Sequence, residues 1–235
     1  MLFGSKINMS EMKKGLKQHI AVLFILLSAS VGVLSCKDES PYYNVENKLQ
    51  QFDGNALAYL QANAPTYDSL LKVLDRLPDL KDTLQNEQVT LFAPTNENFT
   101  AAINNLNFYR QKEGKSLINL GNANLSELDT MTCKYIVKKQ YLTDDFKAFL
   151  EGIYVTSVKA KEQMHIEYSK ENASGYVGGG AQVVRYSDTK EGFVRAYWDR
   201  SQTSAVNIKT NNAVVYVISP THNFGFNEFT KRLNK

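Results

Sequence analysis

Beyond residue 36 the chain offers few side chains suited to chemistry: His165, His222, the thiol of Cys133 and the adjacent carboxylates of Asp144 and Asp145. Neither histidine falls in an HExxH pattern or a paired-histidine spacing, so no zinc-hydrolase ligand set is visible. No G-x-S-x-G elbow occurs. Gly178 to Gly180 is not followed by a Lys-Ser or Lys-Thr pair or a helical pattern, and reads as a hairpin tip instead of a phosphate cradle. Asp144 and Asp145 open a short predicted helix, where carboxylates offset the positive end of the helix dipole. Cys133 has no histidine near it in sequence and reads as a small buried apolar group. The sequence thus carries no catalytic set, no metal ligands and no cofactor site, and a hydrolase built on His165, Asp144 or Cys133 ranks last.

Recognition has one aromatic candidate. Read as a strand, Phe193 to Trp198 puts Phe193, Arg195 and Tyr197 on one face and Val194, Ala196 and Trp198 on the other. Trp198, beside Asp199 and Arg200, would stack on a sugar ring while its charged neighbours bond the hydroxyls. The competing reading has Trp198 completing an edge of the core.

The elements that would position these residues come in two blocks. Leu70, Leu71, Leu74 and Leu77 share one helix face, which Pro78 ends or kinks. Val89 to Ala93 is a short β-rich run stopped by Pro94, and Thr95 caps a helix with Phe99 and Ile103 on one side. Residues 107–125 read as loop, Ser126 and Asp129 as a capping box, and Leu128 to Ile136 as a helix. Thr143 caps a last short helix that Gly152 closes. After Gly152 six strand-like runs follow, IYVTSV, MHIEYS, AQVVRYS, FVRAYW, SAVNI and AVVYVIS. Asn211 and Asn212 lie between the last two, at a turn expected to need positive φ. Helices first and strands second, with one early strand joining the later sheet, give an α+β domain with a mixed or antiparallel sheet.

In front of this domain lies a different kind of segment. Lys6, Lys13, Lys14 and Lys17 stand against Glu11 alone, and an apolar run follows from Ile20 to Leu34. As a helix that run would rise only about 22 Å, against a hydrocarbon core of about 30 Å, so it reads as a secretory signal and not a span. Val33, Leu34, Ser35 and Cys36 resemble a bacterial lipobox. That resemblance implies cleavage before Cys36 and a diacylglycerol on its sulfur, usually with a further acyl chain such as palmitate on its amino group. One chain holds a protein only marginally, at about 0.8 kcal/mol per buried methylene, whereas two or three anchor it. Lys37, Asp38 and Glu39 resemble the signal that sends lipoproteins of the Bacteroidetes to the outside of the outer membrane. Removing residues 1–35 leaves 23 basic and 23 acidic residues, so the formal charge of +3 belongs to the signal and favours no nucleic-acid partner.

Two stretches of the domain carry a family resemblance. VTLFAPTNENFTAA, 89–102, looks like the first signature of the fasciclin domain, and SAVNIKTNNAVVYVIS, 204–219, like the second. CKYIVKKQYL between them resembles that family's central helix. The resemblance implies a single α+β domain over residues 52–235, with N-terminal helices packed on a mixed or antiparallel β-wedge. The family's adhesive Tyr-His pair corresponds here to Lys134 and Tyr135, and its Asn-Gly turn and strand histidine to Asn212-Ala213 and Tyr216. Integrin-type recognition is therefore not carried over, although Tyr135 stays a candidate binding residue.

The expected organisation is a lipoprotein signal at 1–35, a lipidated N-terminus and tether at 36–51, and the domain at 52–235. The expected function is a non-catalytic adhesion or binding module, anchored by lipid in the outer membrane and facing the cell exterior, with the periplasmic face as alternative. Its partner would be a polysaccharide or a surface protein. The alternative function is an accessory subunit of an outer-membrane glycan-uptake complex.

Overall fold

A computed structural model of the 235-residue chain describes residues 49–159, 162–170, 180 and 182–235. The signal at 1–35, Cys36 to Glu39, and all but the last glycine of the expected 178–180 hairpin tip lie outside the described residues. No helix among the described residues is long and apolar enough to cross a membrane.

Helical periodicity and proline placement set out the first layer. α1 spans Ala56–Ala62, α2 Ala64–Arg76 and α3 Pro78–Asn86. Asn55 caps α1 by accepting from the Ala58 N–H at 2.8 Å. Pro78 starts α3 in its first turn, where a missing N–H costs nothing, so the chain breaks between two helices at Leu77. Strand β1, Gln50–Gln51, precedes them and pairs with the sheet.

β2 forms at Val89–Ala93 as expected, and α4 follows at Asn96–Lys112. The loop expected from residue 107 starts later, because α4 ends in a Schellman turn. Gly114 takes a φ of +67°, the Lys115 N–H donates to Arg110 O at 2.8 Å, and Gly114 N–H to Gln111 O at 3.1 Å. α5 spans Leu125–Cys133 and is capped by Asn124, not Ser126. The expected continuation of that helix through Ile136 is overturned: Ile136–Lys138 is strand β3, antiparallel to β2. The β-branched pair Ile136-Val137 gains more from packing on the β2 edge than from another helical turn. α6 covers Thr143–Phe146 with Leu142 in the cap position, and Asp145 accepts from the Leu142 N–H at 2.7 Å.

The later strands are β4 (Ile153–Thr156), β5 (Gln163–Lys170), β6 (Gln182–Asp188), β7 (Asp199–Lys209) and β8 (Ala213–Ile218), and α7 (Phe229–Leu233) closes the chain. The strand order is β3-β2-β8-β7-β6-β5-β4, with β1 added parallel to β7. β2 lies parallel to β8 in the middle of an otherwise largely antiparallel sheet, which confirms the α+β class with a mixed sheet. Ser157 bridges back to Val137 and the Val158 N–H donates to Ile136 O at 2.9 Å, so the sheet curls nearly into a barrel.

Two turns depart from expectation. Asn211 and Asn212 take no positive φ. Instead the Asn212 side chain turns inward, accepting from Ala56 N–H at 2.9 Å and donating to the carbonyls of Leu84 and Glu87. The run Phe193 to Trp198 is not a strand but a loop with a 3-10 turn at Arg195–Tyr197. Positive φ at Lys190 and Glu191 bends the chain out of the sheet before it can alternate.

The core fills the barrel with rings. Phe92 stacks on Tyr186 at 3.7 Å between centroids and on Tyr216 at 5.0 Å. Phe224 and Phe226 of the tail stack against Tyr135, and Phe229 is buried with them. Asn98 fixes this tail by donating to the carbonyls of Ser219 and His222 while accepting from the Thr95 N–H. Asn96 reaches α2, accepting from Ser69 N–H and donating to Pro65 O.

Candidate functional site

Tyr135 leaves α5 pointing into the core and is fully buried, so the surface role it was given is corrected. Its hydroxyl accepts from the Gly225 N–H at 2.8 Å and shares a hydrogen bond of 2.6 Å with Nε2 of His222. Burial pushes His222 down to about 4, against a weak opposing pull from Asp199. This pair is a structural clasp between β3 and the tail.

Beside it runs an ionic seam. Lys134 and Asp188 have side chains only 2% exposed and meet at 2.6 Å. Glu162 and Glu228 approach the same ammonium at 3.2 and 3.4 Å. Burial alone would lower the Lys134 pKa, but the hydrogen bond and charge of Asp188, with Glu162 and Glu228, outweigh it and hold the group above its usual value. Lys190 pairs with Glu228 at 2.8 Å and Asp199 at 2.9 Å, and Arg232 links Glu228 to Glu127. Every charge in the seam has an opposite partner, which leaves nothing to bind a ligand.

The other candidates for chemistry are dispersed. Cys133 is buried at the end of α5. Asp144 pairs with Lys147 at the start of α6. His165 lies on β5 opposite Tyr154 of β4, against the Tyr154 and Trp198 rings, and Nε2–H donates to the Glu151 carbonyl at 2.8 Å. Among the described residues no three His, Cys, Asp or Glu side chains gather where they could hold a metal ion.

Trp198 is 7% exposed and also needs correction as a sugar platform. Its indole N–H donates to Gly192 O at 2.7 Å, its ring packs on His165, and the Arg195 guanidinium covers it at 5.4 Å. Asp199 is held by Lys190 and by the Asn227 amide, and Arg200 donates to the Arg195 carbonyl. All three residues build the base of a loop.

What that base supports is the feature sequence reasoning missed. Two loops, 147–152 and 189–197, are joined by Arg195, which donates to Glu151 O at 2.6 Å and pairs with its carboxylate at 2.9 Å. Gly152 permits the close approach. It takes a φ of +71°, and a Cβ there would stand 2.3 Å from Ile166 O. Around Arg195 the two loops and the adjoining strand carry Leu150 at 92% exposure, Phe193 at 84%, Tyr197 at 78%, and the partly exposed Phe149, Tyr154 and Val194. This apolar cap sits where β7 begins. β1 joins the other end of β7, at Ile208 and Lys209, up to about 30 Å away at about 3.3 Å per residue. The legible signal was the Lys190-Glu191-Gly192 turn ahead of Phe193, which argues against a strand.

The geometry defines an α+β domain with a fully paired ionic seam and an exposed apolar pole. The family model of the fasciclin domain matches residues 65–220, well over half of the chain, and the chain belongs to that family. Among solved structures it is similar to a FAS1 domain pair from the insect cell adhesion molecule Fasciclin I. That match has 14% identity and a TM-score of 0.48, and covers 70% of this chain and 49% of that one. The chain thus spans about half the length of that structure, and the likeness is too slight to carry an argument. No curated protein matches the chain.

Proposed function

We propose that the protein is a lipid-anchored, non-catalytic adhesion or binding module of the outer membrane, displayed toward the cell exterior. The family supports the coarse part of this reading, since fasciclin domains are generally adhesion modules and not enzymes. The anchor rests on Val33-Leu34-Ser35-Cys36, and the outward address on Lys37, Asp38 and Glu39.

The observation that carries the contact function is the exposed cap at the end of β7 opposite β1. On this reading residues 1–35 are the signal, and residues 36–51 are the lipidated N-terminus and tether. A chain held by its N-terminus would present the cap away from its own membrane. The polysaccharide reading leaned on Trp198, whose ring is buried and whose N–H is engaged within the domain, and on Asp199, which Lys190 holds, so an apolar partner suits the cap better.

Protease shaving of intact cells beside a Cys36→Ala control tests the placement. Digestion of the native protein without lysis supports outward display. Protection would move the protein to the periplasmic face, and a native residue 36 without acyl groups in mass spectrometry would remove the anchor.

A further inference from the structure

We infer that the cap docks on a lipid bilayer facing the one that carries the chain. This rests on the proposed reading of an outward contact surface and names what that surface touches.

Three observations favour a bilayer over other occupants. First, the apolar side chains of the cap protrude. Leu150, Phe193 and Tyr197 keep 92%, 84% and 78% of their surface open, so almost nothing flanks them. A protein interface of useful strength requires interlocking surfaces, and a second copy would offer only another protruding cap. A fluid bilayer closes around protruding side chains without a matching shape, taking apolar groups about 5–10 Å into the headgroup and acyl boundary. Tyr197 and Tyr154 supply rings with polar tips, which suit the headgroup level.

Second, the guanidinium that joins the two loops of the cap is already engaged. The Arg195 guanidinium is held by the Glu151 carbonyl and carboxylate, with Glu167 at 3.9 Å, and its carbonyl accepts from Arg200. That guanidinium is not free to read sugar hydroxyls, and its charge keeps a carboxylate partner when the cap meets an apolar phase. The charges nearby, Arg195 with Glu151 and Lys147 with Asp144, balance, so attraction to the surface would come from apolar burial and not from anionic lipid.

Third, the chain outside the described residues ends on the right side. Residues 37–48 could reach about 40 Å when extended and join the domain at β1, the end of β7 remote from the cap. That leash holds one pole near its own membrane and frees the other to meet an opposing surface.

The test uses the full chain immobilised through a C-terminal tag, with neutral phosphatidylcholine vesicles passed over it. Its outcome therefore does not depend on whether Cys36 is acylated. The comparator is the triple variant Leu150→Ser, Phe193→Ser, Tyr197→Ser, whose fold is checked by circular dichroism and which keeps the same N-terminal apolar run. Wild type should retain vesicles at least about tenfold better than this variant, and Phe193→Trp should retain them as well as wild type. Retention should change less than about twofold between low and high salt, because no net charge drives it. Equal retention by wild type and the triple variant overturns the proposal. Retention only when the vesicles themselves carry the chain also overturns it, naming a second copy as the occupant. In that case the adhesion reading survives.

Discussion

The ionic seam and the apolar cap lie at neighbouring ends of the same strands and solve opposite problems. In the seam, Lys134, Asp188, Glu162, Glu228, Lys190 and Arg232 are charged groups drawn under cover, each answered by its opposite. In the cap, apolar groups that could have been covered are held out in water by Arg195 and Glu151. Desolvating charge is costly unless pairing is complete, so the seam has no freedom to do anything but hold the tail and α5 onto β6. Exposing Leu150 and Phe193 brings no folding stability, so their arrangement is free to serve contact. The difference separates what keeps this domain folded from what it offers to a partner.

Breaking the seam should have the largest effect. Lys134→Met leaves Asp188 buried without its ammonium and should cost about 3–5 kcal/mol in urea unfolding, while Lys134→Met with Asp188→Leu should recover a large part of it. A single variant within error of wild type would show that the seam is solvated after all.

Acid should come next. His222 has a folded pKa of about 4, below its unfolded value near 6.5. The unfolded chain therefore takes up the proton first as pH falls, and stability is full above about 6.5 and lost as pH drops through about 4. The loss should be about 3 kcal/mol, seen as a falling midpoint between pH 7 and 4 that His222→Gln flattens. His165, also lowered by burial, should add to the slope in the same direction.

Arg195→Ala removes the brace between the two loops of the cap but no core packing. It should cost about 1 kcal/mol globally while amides 148–152 exchange measurably faster, since the Glu151 carbonyl loses a charged donor. Unchanged exchange there would separate the cap into two independent loops.

The smallest effect on stability should come from the cap itself. Leu150→Ser, Phe193→Ser and Tyr197→Ser should each leave the unfolding midpoint within about 0.5 kcal/mol of wild type, despite removing large apolar groups. A destabilisation above about 2 kcal/mol would mean that these side chains pack in solution and that the contrast between the regions is false.

Much of the architecture was legible because it rests on local rules. Pro78 between two leucine-rich faces, Val89 to Ala93 ahead of Pro94, and the strand pairs after Gly152 each announce an element through periodicity and punctuation. The misreadings share one cause. Ile136-Val137 was assigned to a helix and Phe193 to Trp198 to a strand because short apolar runs fit both periods. Pairing with β2 decided the first, and the Lys190-Glu191 turn with the Trp198 anchor decided the second. The candidate site inherited that error. Alternation would have placed Trp198 outside and split Phe193 from Val194, whereas the loop buries the former and exposes both of the latter.

The sequence alone determined the class of the domain, the family signatures around Phe92 and Tyr216 and the absence of local catalytic spacing, because hydrophobic period and turn chemistry act over a few residues. Tertiary structure decided that Lys134 would be enclosed among three carboxylates from distant parts of the chain, that Tyr135 would clasp His222, and that two loops would meet at Arg195 to raise an apolar cap. Those outcomes depend on which long-range neighbours supply or withhold partners, and residue type and spacing do not encode that locally.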